Sequence, residues 1–152
     1  MNTLRDICSA LAAAGDLTLI MHRHPDGDTV GSAAALGRCL AAAGKRVRYA
    51  CADPISPKYS DLIDPADMTD APEGTIVTVD VASPDMAGGF SDAARTADIV
   101  IDHHGTNPCF GKYNLVRPEA AATGEIIYDI IREIGTLTRD IAYPLYVAVS
   151  TD

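Results

Sequence analysis

The sequence predicts an α/β fold in which helices flank a doubly wound, mostly parallel β-sheet. Short runs rich in Val, Ile and Thr alternate with longer stretches whose apolar residues recur at helical spacing. This alternation is typical of parallel sheets with helical crossovers. Acidic residues and histidines also follow several of the predicted strands, at the edge where such sheets bind ligands. A chain of 152 residues with 47% hydrophobic residues suits one domain with one core.

The first half of the chain alternates helices and strands. The predicted elements are a helix over 3–14 that Gly15 ends, a strand over 17–22, a loop over 22–28, a helix over 29–43 that ends at Gly44, and a strand over 46–51. Glycine favours helix ends because it adopts the left-handed backbone conformation at low cost. Residues 53–72 are rich in Pro and Asp, and we expect a short helix around 58–63 and a turn there.

The second half continues the same alternation. Its predicted elements are a strand over 75–81, a strand over 98–101, a helix over about 119–134, and a helix from about 139 towards 150. Pro144 lies inside the last helix, where it lacks a backbone N–H donor and is expected to distort the helix.

Composition excludes several classes of protein. The net charge of −9 argues against binding of long nucleic acid, but it allows a short nucleotide held at a metal centre. Four cysteines without a Cys-x-x-Cys pair argue against a zinc ribbon, and Cys8 and Cys39 are expected to be buried in helices. Without a secretory signal or an apolar run that could span a bilayer, the chain is expected to be cytoplasmic and not bound to a membrane.

A first group of metal-ligand types follows the first strand. His22, Asp26 and Asp28 lie on one tight loop, in which Gly27 permits a turn and Pro25 stiffens the backbone. The alternative for Asp28 is the N-cap of the following helix. Two acids that flank one glycine, with a histidine four residues before the first acid, favour a metal site.

Further candidates follow the later strands. Asp80 ends an apolar strand, where a buried acid needs a partner or a metal, although it could instead cap a turn at Ser83-Pro84. In Asp102-His103-His104, adjacent side chains of an extended segment point in opposite directions, so one imidazole can face metal and the other substrate. Asp152 by itself resembles an ordinary exposed terminal charge.

A charge count favours two metal ions. Asp26, Asp28, Asp80 and Asp152 would bring four negative charges that two divalent cations balance. Mixed imidazole and carboxylate ligands suit Mn²⁺, Fe²⁺, Co²⁺ or Zn²⁺, and such a pair of ions can clamp a phosphoryl group and activate water. Phosphate-loop and dinucleotide-binding motifs are absent. Ser32 is interpreted as a packing or phosphate-contacting residue rather than a nucleophile.

Taken in order, these motifs resemble the DHH phosphoesterase family, whose members include the RecJ-like enzymes. The resemblance covers nearly the whole chain. It rests on four motifs: His22-x-x-Pro25-Asp26-Gly27-Asp28-x-x-Gly31-Ser32, Val79-Asp80, Ile101-Asp102-His103-His104, and Thr151-Asp152. The leading helix and the segment Ala121–Tyr128 resemble the nano-RNase branch, which trims short oligoribonucleotides and dephosphorylates adenosine 3′,5′-bisphosphate.

The resemblance implies a role for each residue. One ion, usually Mn²⁺ in this family, would be held by His22, Asp26 and Asp80. The other would be held by Asp28, Asp80, His103 and Asp152. His104 and Asp102 would be the catalytic pair, with His104 and Ser32 near the substrate and Asp102 as support. Residues 1–152 would form the metal-binding domain, and the second, substrate-binding domain usual in the family would be absent from this chain.

Several functions stay open at this stage. The leading hypothesis is a Mn²⁺-dependent phosphoesterase acting on short RNA oligonucleotides or small phosphorylated nucleotides. The alternatives are a cyclic dinucleotide phosphodiesterase, a family-II inorganic pyrophosphatase, and a regulatory metal-binding module without catalysis. Long duplex nucleic acid is not an expected partner, and a homodimer is left open.

Overall fold

The computed structural model describes all 152 residues and contains one five-stranded sheet in which every neighbouring pair of strands is parallel. The strands are β1 (Leu17–Ile20), β2 (Val47–Ala50), β3 (Thr75–Val79), β4 (Ile99–Asp102) and β5 (Tyr113–Val116), in the order β2-β1-β3-β4-β5. The predicted α/β fold class is therefore confirmed.

Helices cover both faces of the sheet unequally. They are α1 (Leu4–Ala13), α2 (Gly27–Ala42), α3 (Ser91–Arg95), α4 (Thr123–Ile134) and α5 (Arg139–Thr151). Helices α1, α2, α4 and α5 share a core of 28 buried residues on one face, whereas α3 belongs to a cluster of seven on the other. Both faces of the strands are buried, as expected for a parallel sheet. None of the helices combines the length and apolarity needed to cross a membrane.

The order of the strands creates a switch point between β1 and β3. The chain leaves β1 through α2 and returns on one side as β2, but it leaves β3 towards β4 and β5 on the other side. The crossovers from these two neighbouring strands diverge, so a crevice forms outside their carboxyl ends. His22 and Asp80 lie just beyond these two ends.

Several elements differ from the predictions. Helix α2 begins at Gly27 rather than Thr29, because Asp26 provides its N-cap. The helix predicted over 58–63 is wrong, since two short 3-10 helices over Pro57–Tyr59 and Pro65–Asp67 replace it. Asp64 precedes a proline, which disfavours the α conformation and separates the two turns. Helix α4 begins at Thr123 rather than 119, and α3 and β5 were not predicted.

Helix α5 runs through Pro144 without interruption. Pro144 has no N–H to donate to the carbonyl of Asp140, four residues earlier. The Arg38 guanidinium of α2 donates to that carbonyl instead, at 2.6 Å from Nη1 to the oxygen, and Nη2 donates to the carbonyl of Leu62 at 2.8 Å. Arg38 thus compensates for the missing helical hydrogen bond.

The close contact between α2 and α5 depends on Gly31. A Cβ at this position would lie 2.4 Å from the carbonyl oxygen of Pro144 and 2.8 Å from the backbone nitrogen of Ala148. We expect the overpacking in Gly31→Ala to cost about 3 kcal/mol, which the helix propensity of alanine offsets by about 1 kcal/mol. Urea unfolding followed by circular dichroism should show a net loss of about 2 kcal/mol. Gly15→Ala is the control, because no atom lies within 4 Å of its new Cβ. Equal stability of the two variants would contradict the packing account.

Candidate metal centre

The loop after β1 places an imidazole beside two carboxylates. His22 Nε2 lies 3.5 Å from Asp26 Oδ1 and 3.6 Å from Asp80 Oδ2. The other ring nitrogen, Nδ1, lies 2.6 Å from the carbonyl oxygen of Arg23, to which it can only donate. This contact assigns the proton to Nδ1 and turns Nε2 towards the carboxylates, as in many histidines that bind metals.

Asp80 adopts a strained backbone conformation immediately after β3. Its φ is +63°, in the left-handed region that few residues other than glycine occupy. Hydrogen bonds hold the carbonyls of both neighbouring residues, since Thr29 Oγ1 donates to the carbonyl of Val79 at 2.9 Å and Asn107 Nδ2 donates to that of Val81 at 3.1 Å. Strain held in this way is common at functional sites. The side chain of Asp80 is 1% exposed.

The imidazole of His103 has one satisfied nitrogen and one orphaned nitrogen. Its Nδ1 lies 3.2 Å from the carbonyl oxygen of Ala120, whereas the buried Nε2 has no hydrogen-bond partner. Three carboxylate oxygens surround Nε2, from Asp28 at 3.6 Å, Asp80 at 3.7 Å and Asp152 at 3.5 Å. These distances are too long for hydrogen bonds, so the nitrogen and the carboxylates face a common point without bonding to one another.

His104 lies against His103, with the ring centroids 4.6 Å apart, and is held by Asp102. The Nδ1 of His104 lies 2.7 Å from Asp102 Oδ1, which also accepts the backbone N–H of His103 at 2.9 Å. The other oxygen, Oδ2, accepts a hydrogen bond from Asn107 Nδ2 at 2.8 Å. Asp102 is completely buried, whereas the side chain of His104 is 40% exposed. His104 is therefore a rigidly oriented imidazole at the open side of the site.

Asp28 is enclosed by hydrogen-bond donors from two helices. Its Oδ1 accepts from Ser32 Oγ and from the N–H of Gly124, both at 3.0 Å, and its Oδ2 accepts from the N–H of Thr123 at 2.9 Å. Asp28 lies in the first turn of α2. The N-cap of that helix is Asp26, not Asp28. Ser32 is fully buried and contacts Asp28, so this placement does not fit the substrate-binding role predicted for Ser32.

The electrostatics of the site favour cations. Burial and then repulsion from Asp80 raise the pKa of Asp28 to about 7, although backbone N–H groups favour its charged form. Burial opposes protonation of His22, but the carboxylates of Asp26 and Asp80 outweigh that effect and raise its pKa to about 10. Every ion pair of these carboxylates is with a histidine, and none is with Lys or Arg. Without metal, protons therefore offset part of the negative charge.

The donor atoms fit divalent metal ions. Three overlapping groups could hold an ion: His22, Asp26 and Asp80; Asp28, His103 and Asp152; Asp80, His103 and His104. Ligand atoms bound to one ion at about 2.0–2.2 Å lie about 2.8–3.6 Å apart, and the distances between the imidazole nitrogens and the carboxylates are close to this range. The unpartnered Nε2 of His103 is the kind of buried polar atom that a missing ion explains.

The structure brings together all the predicted site residues, with Ser32 behind the carboxylates rather than at the open side. Two further contributors, Asn107 and Thr123, were not predicted as site residues. Asn107 binds Asp102, and Thr123 Oγ1 donates to Asp80 at 2.7 Å. Neither residue type is a typical metal ligand, so only their position after a predicted strand and at a predicted helix could have indicated them.

Comparisons with known proteins point to one family. The family model described as the DHH family, N-terminal domain, matches residues 16–149. The chain is 37% identical over 147 residues to the bifunctional oligoribonuclease and PAP phosphatase NrnA of Thermus thermophilus, with 93% of this chain and 44% of that protein covered. The fold also matches the crystal structure of an exopolyphosphatase-related protein from Bacteroides fragilis. That match has a TM-score of 0.84 and 19% identity, over 95% of this chain and 48% of the other. The chain thus spans about half the length of these relatives.

The contact between Asp102 and His104 should control the pKa of the His104 imidazole. Burial lowers the pKa of His104, but the Asp102 carboxylate outweighs it and raises the pKa above its ordinary value of 6.5. Asp102→Asn removes the negative charge that stabilises the imidazolium, so the pKa of His104 should fall in the metal-free protein. An NMR titration of the imidazole resonances measures this, with the exposed Asp92→Asn as control. An unchanged pKa of His104 in Asp102→Asn would contradict the assignment.

Proposed function

Because the chain belongs to the DHH family, we propose that it is the metal-binding part of a phosphoesterase that uses two Mn²⁺ ions to hydrolyse short oligoribonucleotides, adenosine 3′,5′-bisphosphate or both. The name of the Thermus thermophilus relative supports this choice of substrates. One observation carries the proposal. Buried carboxylates face the unpartnered Nε2 of His103, with no Lys or Arg paired to them. Such a pocket repels phosphate unless cations occupy it.

The distances support a specific division of the ligands. One ion would be held by His22, Asp26 and Asp80, and the other by Asp28, Asp80, His103 and Asp152. Asp80 would bridge the ions, because its Oδ2 lies nearest His22 whereas its Oδ1 lies 3.7 Å from His103 Nε2. Mixed imidazole and carboxylate ligands suit Mn²⁺ better than Mg²⁺ or Ca²⁺. When bound, two such ions supply Lewis-acid activation of water and offset the charge of the phosphoryl group.

His104 would contact the substrate directly. Asp102 holds its Nδ1 and favours the charged imidazolium, and the side chain is 40% exposed, so the Nε2–H is free to donate to a substrate. A charged N–H donor there would bind a phosphoryl oxygen and stabilise negative charge as the bond to the leaving group breaks. Asp102 would act through His104, since it is completely buried and cannot reach a substrate.

The full-length natural protein should release mononucleotides from a short 5′-labelled RNA, and inorganic phosphate from adenosine 3′,5′-bisphosphate, when Mn²⁺ is added. The release should stop when a chelator removes the metal. Both activities are measured by chromatography of the products. Cyclic dinucleotides and pyrophosphate are assayed in parallel, because the same ligand set serves those reactions. No Mn²⁺-dependent product from RNA or adenosine bisphosphate would refute the proposal, and much faster hydrolysis of pyrophosphate would favour a pyrophosphatase.

Two variants separate metal binding from catalysis in that assay. Asp80→Asn keeps the shape of the side chain and tolerates the left-handed backbone, but it should weaken Mn²⁺ binding at least about tenfold and abolish activity. His104→Ala should retain Mn²⁺ and lower turnover by roughly 100-fold. Calorimetric titration with Mn²⁺ measures the binding. Loss of Mn²⁺ binding in His104→Ala would show that the assigned role is wrong.

A further inference from the structure

The first turn of α4 contacts two of the completely buried carboxylates. Thr123 is 0% exposed, and its hydroxyl donates to Asp80 Oδ1 at 2.7 Å. The backbone N–H groups of Thr123 and Gly124 donate to the two oxygens of Asp28, at 2.9 and 3.0 Å. One helix end therefore holds carboxylates that belong to α2 and to the end of β3.

The packing of α4 holds this turn in place. Ala122, at the N-cap, has no side-chain acceptor for the free N–H groups of the turn, and Asp28 supplies the acceptor from another helix. Gly124 allows close contact with α5, because a Cβ there would lie 2.7 Å from the Cβ of Ala148. The hydroxyl of Thr123 is thus presented to Asp80 from a rigid position.

The contact of Thr123 is with one particular oxygen of Asp80. Oδ2 lies 3.6 Å from His22 Nε2, whereas Oδ1, the oxygen bound by Thr123, lies 3.7 Å from His103 Nε2. The last torsion of an aspartate is soft, so the carboxylate rotates easily unless something holds it. The Thr123 hydroxyl is the side-chain hydrogen-bond donor to this carboxylate.

We propose that Thr123 is a positioning residue that orients Asp80 Oδ1 for the ion on the His103 side. The inference rests on the proposed two-metal function and adds a prediction about which ion depends on α4. Without the hydroxyl, Oδ1 loses its fixed direction, and the ion held by Asp28, His103 and Asp152 binds more weakly. The ion on the His22 side keeps Asp80 Oδ2 and is little affected.

The test compares Thr123→Ser with Thr123→Ala, two variants that differ by the hydroxyl alone. Calorimetric titration of the metal-free protein with Mn²⁺, and electron paramagnetic resonance of the free ion, count the ions and give both affinities. Thr123→Ala should lose about tenfold in affinity at one of the two binding events, and Thr123→Ser should stay within about threefold of the natural protein. Metal-free unfolding curves show whether each variant folds. If the alanine variant does not, the isosteric Thr123→Val takes its place.

A second variant identifies the affected ion. His22→Ala should weaken the other binding event, and the double variant with Thr123→Ala should lose affinity at both. Two unchanged affinities in Thr123→Ala, or equal losses in the serine and alanine variants, would overturn the role of the hydroxyl. A natural protein that binds no Mn²⁺ would overturn the proposed function together with this inference. Two tightly bound ions that are unaffected by Thr123→Ala would overturn only the inference.

Discussion

The burial of Asp28, Asp80 and Asp102 without any Lys or Arg partner is the constraint on which the site depends. A buried carboxylate is stable only if hydrogen bonds, protons or cations compensate its charge. Asp102 receives three donors, one of them the His104 imidazole, and needs no metal ion. Asp28 and Asp80 receive donors as well, yet oxygens of both still face the unpartnered Nε2 of His103. The negative charge of Asp28 and Asp80 is therefore only partly compensated, and this is the physical reason to place cations here.

The fold brings these charges together through its topology. β1, β3 and β4 are neighbours in the sheet, so the residues after their carboxyl ends meet at one edge although they lie far apart in sequence. Divergence of the crossovers from β1 and β3 leaves the crevice open at that edge. Two helices then complete the site, since the N-terminus of α4 binds Asp28 and the C-terminal end of α5 brings Asp152 to 3.5 Å from His103. The site is therefore built from the residues that follow three neighbouring strands and from the ends of two helices.

Much of this could be predicted from the sequence, because the signals are local. The alternation of strands and helices predicted the fold class, and acids or histidines after strand ends indicated the candidate ligands that the structure brings together. Strand β5 was not recognised, since it starts with an exposed tyrosine and contains Asn114, a residue type that strands disfavour. The contributions of Thr123 and Asn107 depend on contacts with Asp80 and Val81 that only the folded chain creates. The N-cap was considered for Asp28 rather than Asp26, because the predicted start of α2 at Thr29 lies two residues later than the observed one.

The proposed bridging of two metal ions by Asp80 can be tested by diffraction from crystals grown with Mn²⁺. Anomalous difference maps should show two peaks about 3.5–4 Å apart. One peak should lie between His22, Asp26 and Asp80, and the other between Asp80, Asp28, His103 and Asp152. No peak at this edge of the sheet, or a single peak that Asp80 does not contact, would show that Asp80 does not bridge two ions.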